Sequence, residues 1–356
     1  MAQQLPLVSV IMAAYNSERY IGEAIESIIA QSYPHWELLI TDDGSTDSTA
    51  EIVQRYSASD ERIRLIQQEN RGAAAARNRA IEKSKGKYLA ILDSDDIALP
   101  TRLEKQVEYL EANREVILLG SSAKIQNAKI ESLHPLQSNG LLQYQLTYRM
   151  PFVHPSIMLR SENRDHRYPE ELRAAHDYAF LSRVAREGKI ANLQEELIIR
   201  RVHAEAISTT LKETQRDNAL ETTKKNIQNH FPSIDDARLV TALAKASYGI
   251  SSDDIGKKDL ISFHKRVTDH FCSIYPDEKR QIKKESALIL FREYSLFFNR
   301  SLSSKAQLFV LLLRHQWRWP KSLLYLLFSE VLGLKRWADR VRQFKRALWK
   351  GESGEK

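Results

Sequence analysis

The sequence predicts an α/β layer over residues 1–212, a mainly parallel central sheet flanked by helices, and a helical region from there to residue 356. Three observations carry the prediction. Short β-branched apolar runs alternate with amphipathic stretches, polar residues cluster where the apolar runs end, and the alternation stops after about residue 212.

The first unit pairs "LVSVIMA" (7–13), a strand pattern, with "YIGEAIESIIAQ" (20–31), in which Ile21, Ile25 and Ile28 recur at helical spacing. "WELLI" (36–40) then precedes "STDSTAEIVQRY" (45–56), "IRLIQ" (63–67) precedes "AAAARNRAIEKS" (73–84), and "YLAIL" (88–92) precedes "PTRLEKQVEYLEAN" (100–113). Parallel strands joined by helices follow, because a parallel neighbour needs a crossover. No repeat and no low-complexity block interrupts the pattern.

Length and composition bound the rest. A chain of 356 residues, 42% hydrophobic and 28% charged, buries a sizeable core and has room for two domains. Cys272 is the single cysteine, so no internal disulfide forms, and Met1 to Pro6 has no secretory pattern; a reducing, cytoplasmic setting is expected. The net charge of +7 is concentrated at one end, since residues 301–356 hold 12 Lys/Arg against 4 Asp/Glu. The remainder is close to neutral.

In open α/β sheets ligands bind beyond the carboxyl ends of the strands. Asp42 and Asp43 follow "ELLIT", and Asp93 and Asp95 follow "YLAIL". Two acidic clusters from different strands are thus expected to meet on one edge. Carboxylates gathered there repel unless a cation compensates, and Mg²⁺ or Mn²⁺ with a phosphate-bearing ligand suits such a set. A Ser-His-Asp triad, a zinc site and a Walker loop are all without a sequence signal.

Taken together, "DDGSTD" (42–47), "NRGAAAARN" (70–78) and "LDSDD" (92–96) resemble the nucleotide-sugar half of a family 2 glycosyltransferase with the GT-A fold, in order and spacing over about 200 residues. The resemblance implies an inverting transfer from a nucleotide-diphosphate sugar, with a UDP-sugar favoured. By the same resemblance "AAYN" (13–16), including Ala13, Tyr15 and Asn16, belongs to the base pocket, Asp43 lies near the base and Asp93 near the ribose, Asp42 and Ser94 are further nucleotide-sugar-binding residues, and Asp95 holds the metal. Gly72 permits close backbone approach. Arg77 either faces a phosphate or sits solvated on its helix, while Asp47 and Ser48 read as caps and Asp96 as a cap or a group supporting the site from behind.

In "AAHDYAFLSRVAREGKI" (174–190) the resemblance makes Asp177 the general base, with His176 standing where the family usually has Glu. "LIIRRVHAEAIST" (197–209) resembles the family's closing segment, so His203 is expected at the metal or diphosphate, and Arg200 or Arg201 at the leaving group. "FVHPSIMLR" (152–160) resembles an acceptor-side segment; His154 lines that cleft or caps the turn before Pro155.

Residues 213–300 read as a helical appendage to which the resemblance does not extend. In "LKRWADRVRQFKRALWK" (334–350), Leu334, Trp337, Val341, Phe344 and Leu348 recur at steps of 3 and 4 among basic residues, a pattern suited to an anionic membrane surface. No run there is long enough to span a bilayer, so the tail either lies on the inner face of the cytoplasmic membrane as a peripheral attachment or packs on the catalytic domain with its basic face in water. A lipid-linked or other saccharide acceptor fits the membrane placement. Nucleic acid is not expected as a partner, for want of any recognition motif. A nucleotide-sugar-binding scaffold without catalysis and a sugar nucleotidylyltransferase are the rival readings, the latter weakened by the missing Gly-rich N-terminal loop.

Overall fold

The computed structural model describes residues 5–297 apart from 127–131, 134, 204–210, 233, 235 and 251–254. The expected basic amphipathic tail at 301–356 lies outside the described residues.

Strand β1 (Val8–Ala14) leads into α1 (Ile21–Ile29), β2 (Trp36–Asp42) into α2 (Thr49–Ser59), and β3 (Ile63–Gln67) into α3 (Ala73–Lys83). β4 (Tyr88–Ile91) is followed by the short β5 (Ile97–Ala98), α4 (Arg102–Ala112), β6 (Val116–Gln126), β7 (Ser132–Leu133) and α5 (Asn139–Leu146). Then come β8 (Met158–Arg160), α6 (His176–Val184), β9 (Lys189–Arg201) and α7 (Lys212–His230).

Among the described residues these strands form one sheet in the order β3-β2-β1-β4-β8-β6-β9-β5, with β7 beside β6. β3, β2, β1 and β4 are parallel. β8 is antiparallel to both β4 and β6, and β9 is parallel to β6, so β6 and β9 also run with the first four. The sheet is therefore mainly parallel, as expected, with β8 reversed inside it and β5 reversed against β9.

This topology positions the site. The parallel strands all end at one edge, bringing there the residues after Ala14, Asp42, Ile91 and Arg201. A reversed strand begins where its neighbours end, so the 3₁₀ turn His154–Ser156 ahead of β8 arrives at the same edge. β1, β2 and β4 are buried on both faces, which is why they read as continuous apolar runs. Ile21, Ala24, Ile25 and Ile28 of α1 pack with Val10, Met12, Leu38, Ile40, Trp36 and Tyr88 into the main core.

The chain divides into two units, Met1–Pro232 and Ser233–Lys356. α7 thus belongs to the first, whereas sequence reading begins the appendage at residue 213. The physical reason is that α7 offers a Thr/Asn face to α6 rather than the apolar stripe that signals packing: Ala219, Thr222, Thr223, Asn226 and Ile227 are buried. In the second unit α8 (Ala237–Ala246), α9 (Lys257–Ile274) and α10 (Lys279–Phe297) enclose a core containing Val240, Leu243, Phe263, Val267, Phe271 and Ile282. No helix among the described residues is long and apolar enough to cross a membrane.

Candidate active site

The loops after β1 and β2 are laced together. Asn16 adopts left-handed backbone geometry (φ 47°), which Asn tolerates better than most residues. Its Oδ1 accepts the Thr46 N–H at 2.9 Å, and its own N–H donates to Ser45 Oγ at 3.0 Å. The expected helix cap is Asp47, whose Oδ1 accepts the Thr49 N–H at 3.0 Å; Ser48 occupies the cap position but makes no side-chain bond. Ala13 is half-buried at the end of β1, and Tyr15 is half exposed beside it.

Asp43 is buried, and its carboxylate is taken up by its surroundings. It accepts Gln68 Nε2 at 2.7 Å, the Arg71 N–H at 2.9 Å and the Gly72 N–H at 2.8 Å. Gly72, at φ 93°, makes that approach with a backbone that a side chain would strain, and it opens α3. Asp42 is buried too and accepts the Ser45 N–H at 3.2 Å. β2 and β4 flank β1 in parallel, so both acidic loops end at one edge, but among the described residues the carboxylates gathered within 4.8 Å of one another are Asp93, Asp95 and Asp96, from a single turn. N–H donors, not a shared cation, compensate Asp43.

The turn after β4 sets Ser94 and three carboxylates, Asp93, Asp95 and Asp96, in different surroundings. Ser94 Oγ pairs with Ser17 Oγ at 2.8 Å. Asp96 is buried and accepts the Arg201 N–H at 2.9 Å. Burial, and then the charges of Asp93 and Asp95, push its pKa well above the usual carboxylate range. Asp93 goes the other way: burial opposes its ionisation, but the Arg77 guanidinium, helped by His154, overcomes that and holds it below the usual range. Asp95 is half-buried and meets His203 Nε2 at 2.8 Å.

Arg77 is the hub. Its Nη2 donates to Asp93 Oδ1 at 2.6 Å and its Nη1 to His176 Nε2 at 2.9 Å, over the face of Tyr168 with 5.7 Å to the ring centre. It is buried, so the solvated-helix reading of Arg77 falls: the Ala74, Ala75, Ala76 and Ala80 positions let α3 pack closely and carry Arg77 inward. His176 accepts from Arg77 and is therefore neutral, with its proton on Nδ1. Burial and then the Arg77 charge push its pKa down to about 4.

Asp177 is half-buried on the first turn of α6, where one carboxylate oxygen accepts the Tyr178 N–H at 2.8 Å. The residue that starts this helix, Ala175, is left-handed (φ 56°, ψ 19°), a conformation costing a non-glycine residue about 1–2 kcal/mol. His154 is buried, with Nε2 at 3.0 Å from Tyr168 Oη and Nδ1 at 3.9 Å from Asp93.

The two arginines at the end of β9 separate by strand alternation. Arg201 is buried, pairs with Glu23, donates to the Asp95 carbonyl at 3.3 Å and lies over Tyr20. Arg200 is half-buried and makes no ion pair among the described residues; its charge acts on Asp96.

Sequence reasoning missed Tyr168, which stacks on Phe180 with ring centres 4.0 Å apart and whose backbone is gripped by Asn78. The Arg-Asn pair inside an alanine-rich helix was the available signal for a buried polar contact. The carboxylates of Asp93, Asp95 and Asp96 come within 4.8 Å of one another, and His203 Nε2 stands 2.8 Å from Asp95, oxygen and nitrogen donors of the kind a hard divalent cation takes.

The family model described as glycosyl transferase family 2 matches residues 9–187, half of the chain. An uncharacterized glycosyltransferase of Haemophilus influenzae is 34% identical over 247 residues, 65% of this chain and 76% of that relative. A putative teichuronic acid biosynthesis glycosyltransferase of Bacillus subtilis, TuaG, is 51% identical over 106 residues, which span 30% of this chain and only 42% of that relative. The crystal structure of S. aureus TarS 1–349 in complex with UDP-GlcNAc is similar in fold, with a TM-score of 0.55 at 19% identity over 81% of this chain and 86% of that one.

Proposed function

The chain belongs to glycosyl transferase family 2 and is a glycosyltransferase with a GT-A fold, and from that premise we propose that it transfers a sugar, with inversion, from a nucleotide-diphosphate sugar to an acceptor hydroxyl. One observation carries the reading. Arg77 joins Asp93 to His176 by direct hydrogen bonds, so the carboxylate turn and the helix bearing Asp177 share one edge of the sheet.

In this reading Asp177 takes the proton from the acceptor hydroxyl as that oxygen attacks the anomeric carbon from the face opposite the diphosphate. The bond from that carbon to the diphosphate oxygen breaks, and the electron pair leaves with the diphosphate. Asp95 and His203 would hold a Mg²⁺ or Mn²⁺, which would supply positive charge against the charge growing on the leaving group. Arg200 is the cation left for the diphosphate, because Arg201 is committed to Glu23. Asp93 and Ser94 face the ribose, and Ala13, Tyr15, Asn16, Asp42, Asp43 and Gly72 frame the base. His154 and His176 stand on the acceptor side.

A UDP-sugar is the first donor to try, since the similar TarS structure holds UDP-GlcNAc. A precursor of a surface polysaccharide, lipid-linked and met at the inner face of the cytoplasmic membrane, is the proposed acceptor. The relative TuaG, named for teichuronic acid biosynthesis, and the basic sequence of residues 334–350 support that choice.

The test is release of nucleoside diphosphate from UDP-, GDP- and dTDP-sugars with Mg²⁺ or Mn²⁺, then with EDTA. Turnover of one donor class, abolished by EDTA, is the expected result. Donor binding without turnover points to a scaffold instead, and no binding to any donor sinks the reading.

A further inference from the structure

The helix that carries Asp177 is held from outside the matched family region. Residues 9–187 contain α6, whereas α7 lies beyond them. α7 nonetheless grips α6 through polar side chains at one helical face. Asn226 Nδ2 donates to Ser182 Oγ at 2.9 Å and to the Leu146 carbonyl at 2.9 Å. Thr223 Oγ1 donates to the Tyr148 carbonyl at 3.1 Å and stands 3.2 Å from Tyr178 Oη, which itself donates to Leu146 O at 2.8 Å. Hydrogen bonds are directional where apolar contacts are not, so this seam sets one register of α7 against α6.

One turn earlier on the same face, Asn218 Nδ2 donates to the Ala174 carbonyl at 2.9 Å. Ala174 is followed by the left-handed Ala175, and then by His176 and Asp177. A strained residue persists only where its surroundings over-determine it. The chain enters α6 through Ala175, and the peptide ahead of it is fixed by Asn218. The direction in which Asp177 leaves the helix start depends on that turn.

We propose that Asn218 is a positioning residue: through the Ala174 carbonyl it holds the left-handed turn at Ala175, and so aims Asp177 at the acceptor hydroxyl. α7 is then a working part of the transferase, and variation along it tunes the base without touching substrate. The inference rests on the transferase reading for the role of Asp177, but the grip itself can be tested apart from activity.

Three full-length variants decide it: Asn218→Ala, Ala175→Gly, and the two combined. Glycine takes the left-handed conformation without steric cost, so it lessens the need for the clamp. With the donor that the wild type turns over, Asn218→Ala is expected to lower kcat about tenfold, because small misplacement of a reacting group is costly. Donor Kd stays within about twofold. In the Ala175→Gly background the same change costs less, a non-additivity that general loss of packing does not produce. Hydrogen exchange gives the second readout. Amides 176–181 should lose protection about five- to tenfold in Asn218→Ala, as for one lost hydrogen bond, and regain part of it in the double variant. Unchanged kcat and unchanged protection in Asn218→Ala overturn the proposal, and so do additive losses. If the wild type turns over no donor, the transferase reading fails, while the exchange data still settle the grip.

Discussion

The two acidic loops at the sheet edge solve the same electrostatic problem in opposite ways. After β2, the buried Asp43 spreads its charge over three N–H donors of residues 68–72. After β4, Asp93, Asp95 and Asp96 stand within 4.8 Å of one another, and the strain shows as Asp96 pushed toward the protonated form while Asp93 needs Arg77. A carboxylate taken up by its own loop is architecture. A carboxylate left among its like, with a histidine as neighbour, is available to a cation. Sequence composition cannot tell the two apart.

The largest effect should come from neither loop. Asp177→Asn leaves both intact and removes the proton acceptor, so kcat should fall about 10²–10⁴-fold with donor affinity nearly unchanged. Parallel turnover and calorimetric donor titrations check this; an equal loss of affinity would mean that Asp177 serves binding.

The comparison itself is broken or sharpened by Asp95→Asn against Asp43→Asn. Asp95→Asn should lower metal-dependent turnover roughly 10²–10³-fold and weaken the metal response, since metal charge is worth several kcal/mol to a departing diphosphate. Asp43→Asn should keep the wild-type metal concentration dependence and lose instead about 1–3 kcal/mol of stability, from N–H donors left short of an acceptor. Metal titrations and urea unfolding of both variants separate the outcomes.

Arg77→Met tests the partner that the second loop depends on. It leaves the half-buried Asp93 without its countercharge, for an expected cost of about 1–3 kcal/mol in urea unfolding. A smaller change, below about 1 kcal/mol, would show that Asp93 is sustained by other groups.

The most gradual effect is in the pH dependence. His176 has its pKa pushed down to about 4 from an ordinary 6.5, so between those values the unfolded chain binds the proton and the folded one does not. Stability from this group is therefore full above about pH 6.5 and is lost as pH falls toward 4, by up to roughly 3 kcal/mol. Asp93, with its depressed pKa, adds a loss in the same direction below the ordinary carboxylate range. Unfolding curves from pH 4.5 to 7 should flatten in His176→Gln.

Much of this was legible in the chain. The alternation of apolar runs and amphipathic stretches located β1 to β4 and α1 to α4, and the clusters after "ELLIT" and "YLAIL" marked the functional edge. The resemblance singled out His154 and Asp95, which the fold brings into contact with Asp93 and His203. The packing of α7 was not legible, because a Thr/Asn face carries no hydrophobic period.

What the sequence by itself determined is whatever depends on residue type and short spacing: strand and helix periods, the turn-forming DDG and DSDD runs, and membership of a family through three ordered motifs. The tertiary structure decided which of those charges are already satisfied. Asp43 is bound by its own neighbourhood, Arg201 by Glu23 from 178 residues away, and Arg77 by groups on the turn after β4 and on α6. Such pairing depends on the directions of N–H and C=O groups at strand ends, and those directions exist only once strands distant in sequence have been set side by side.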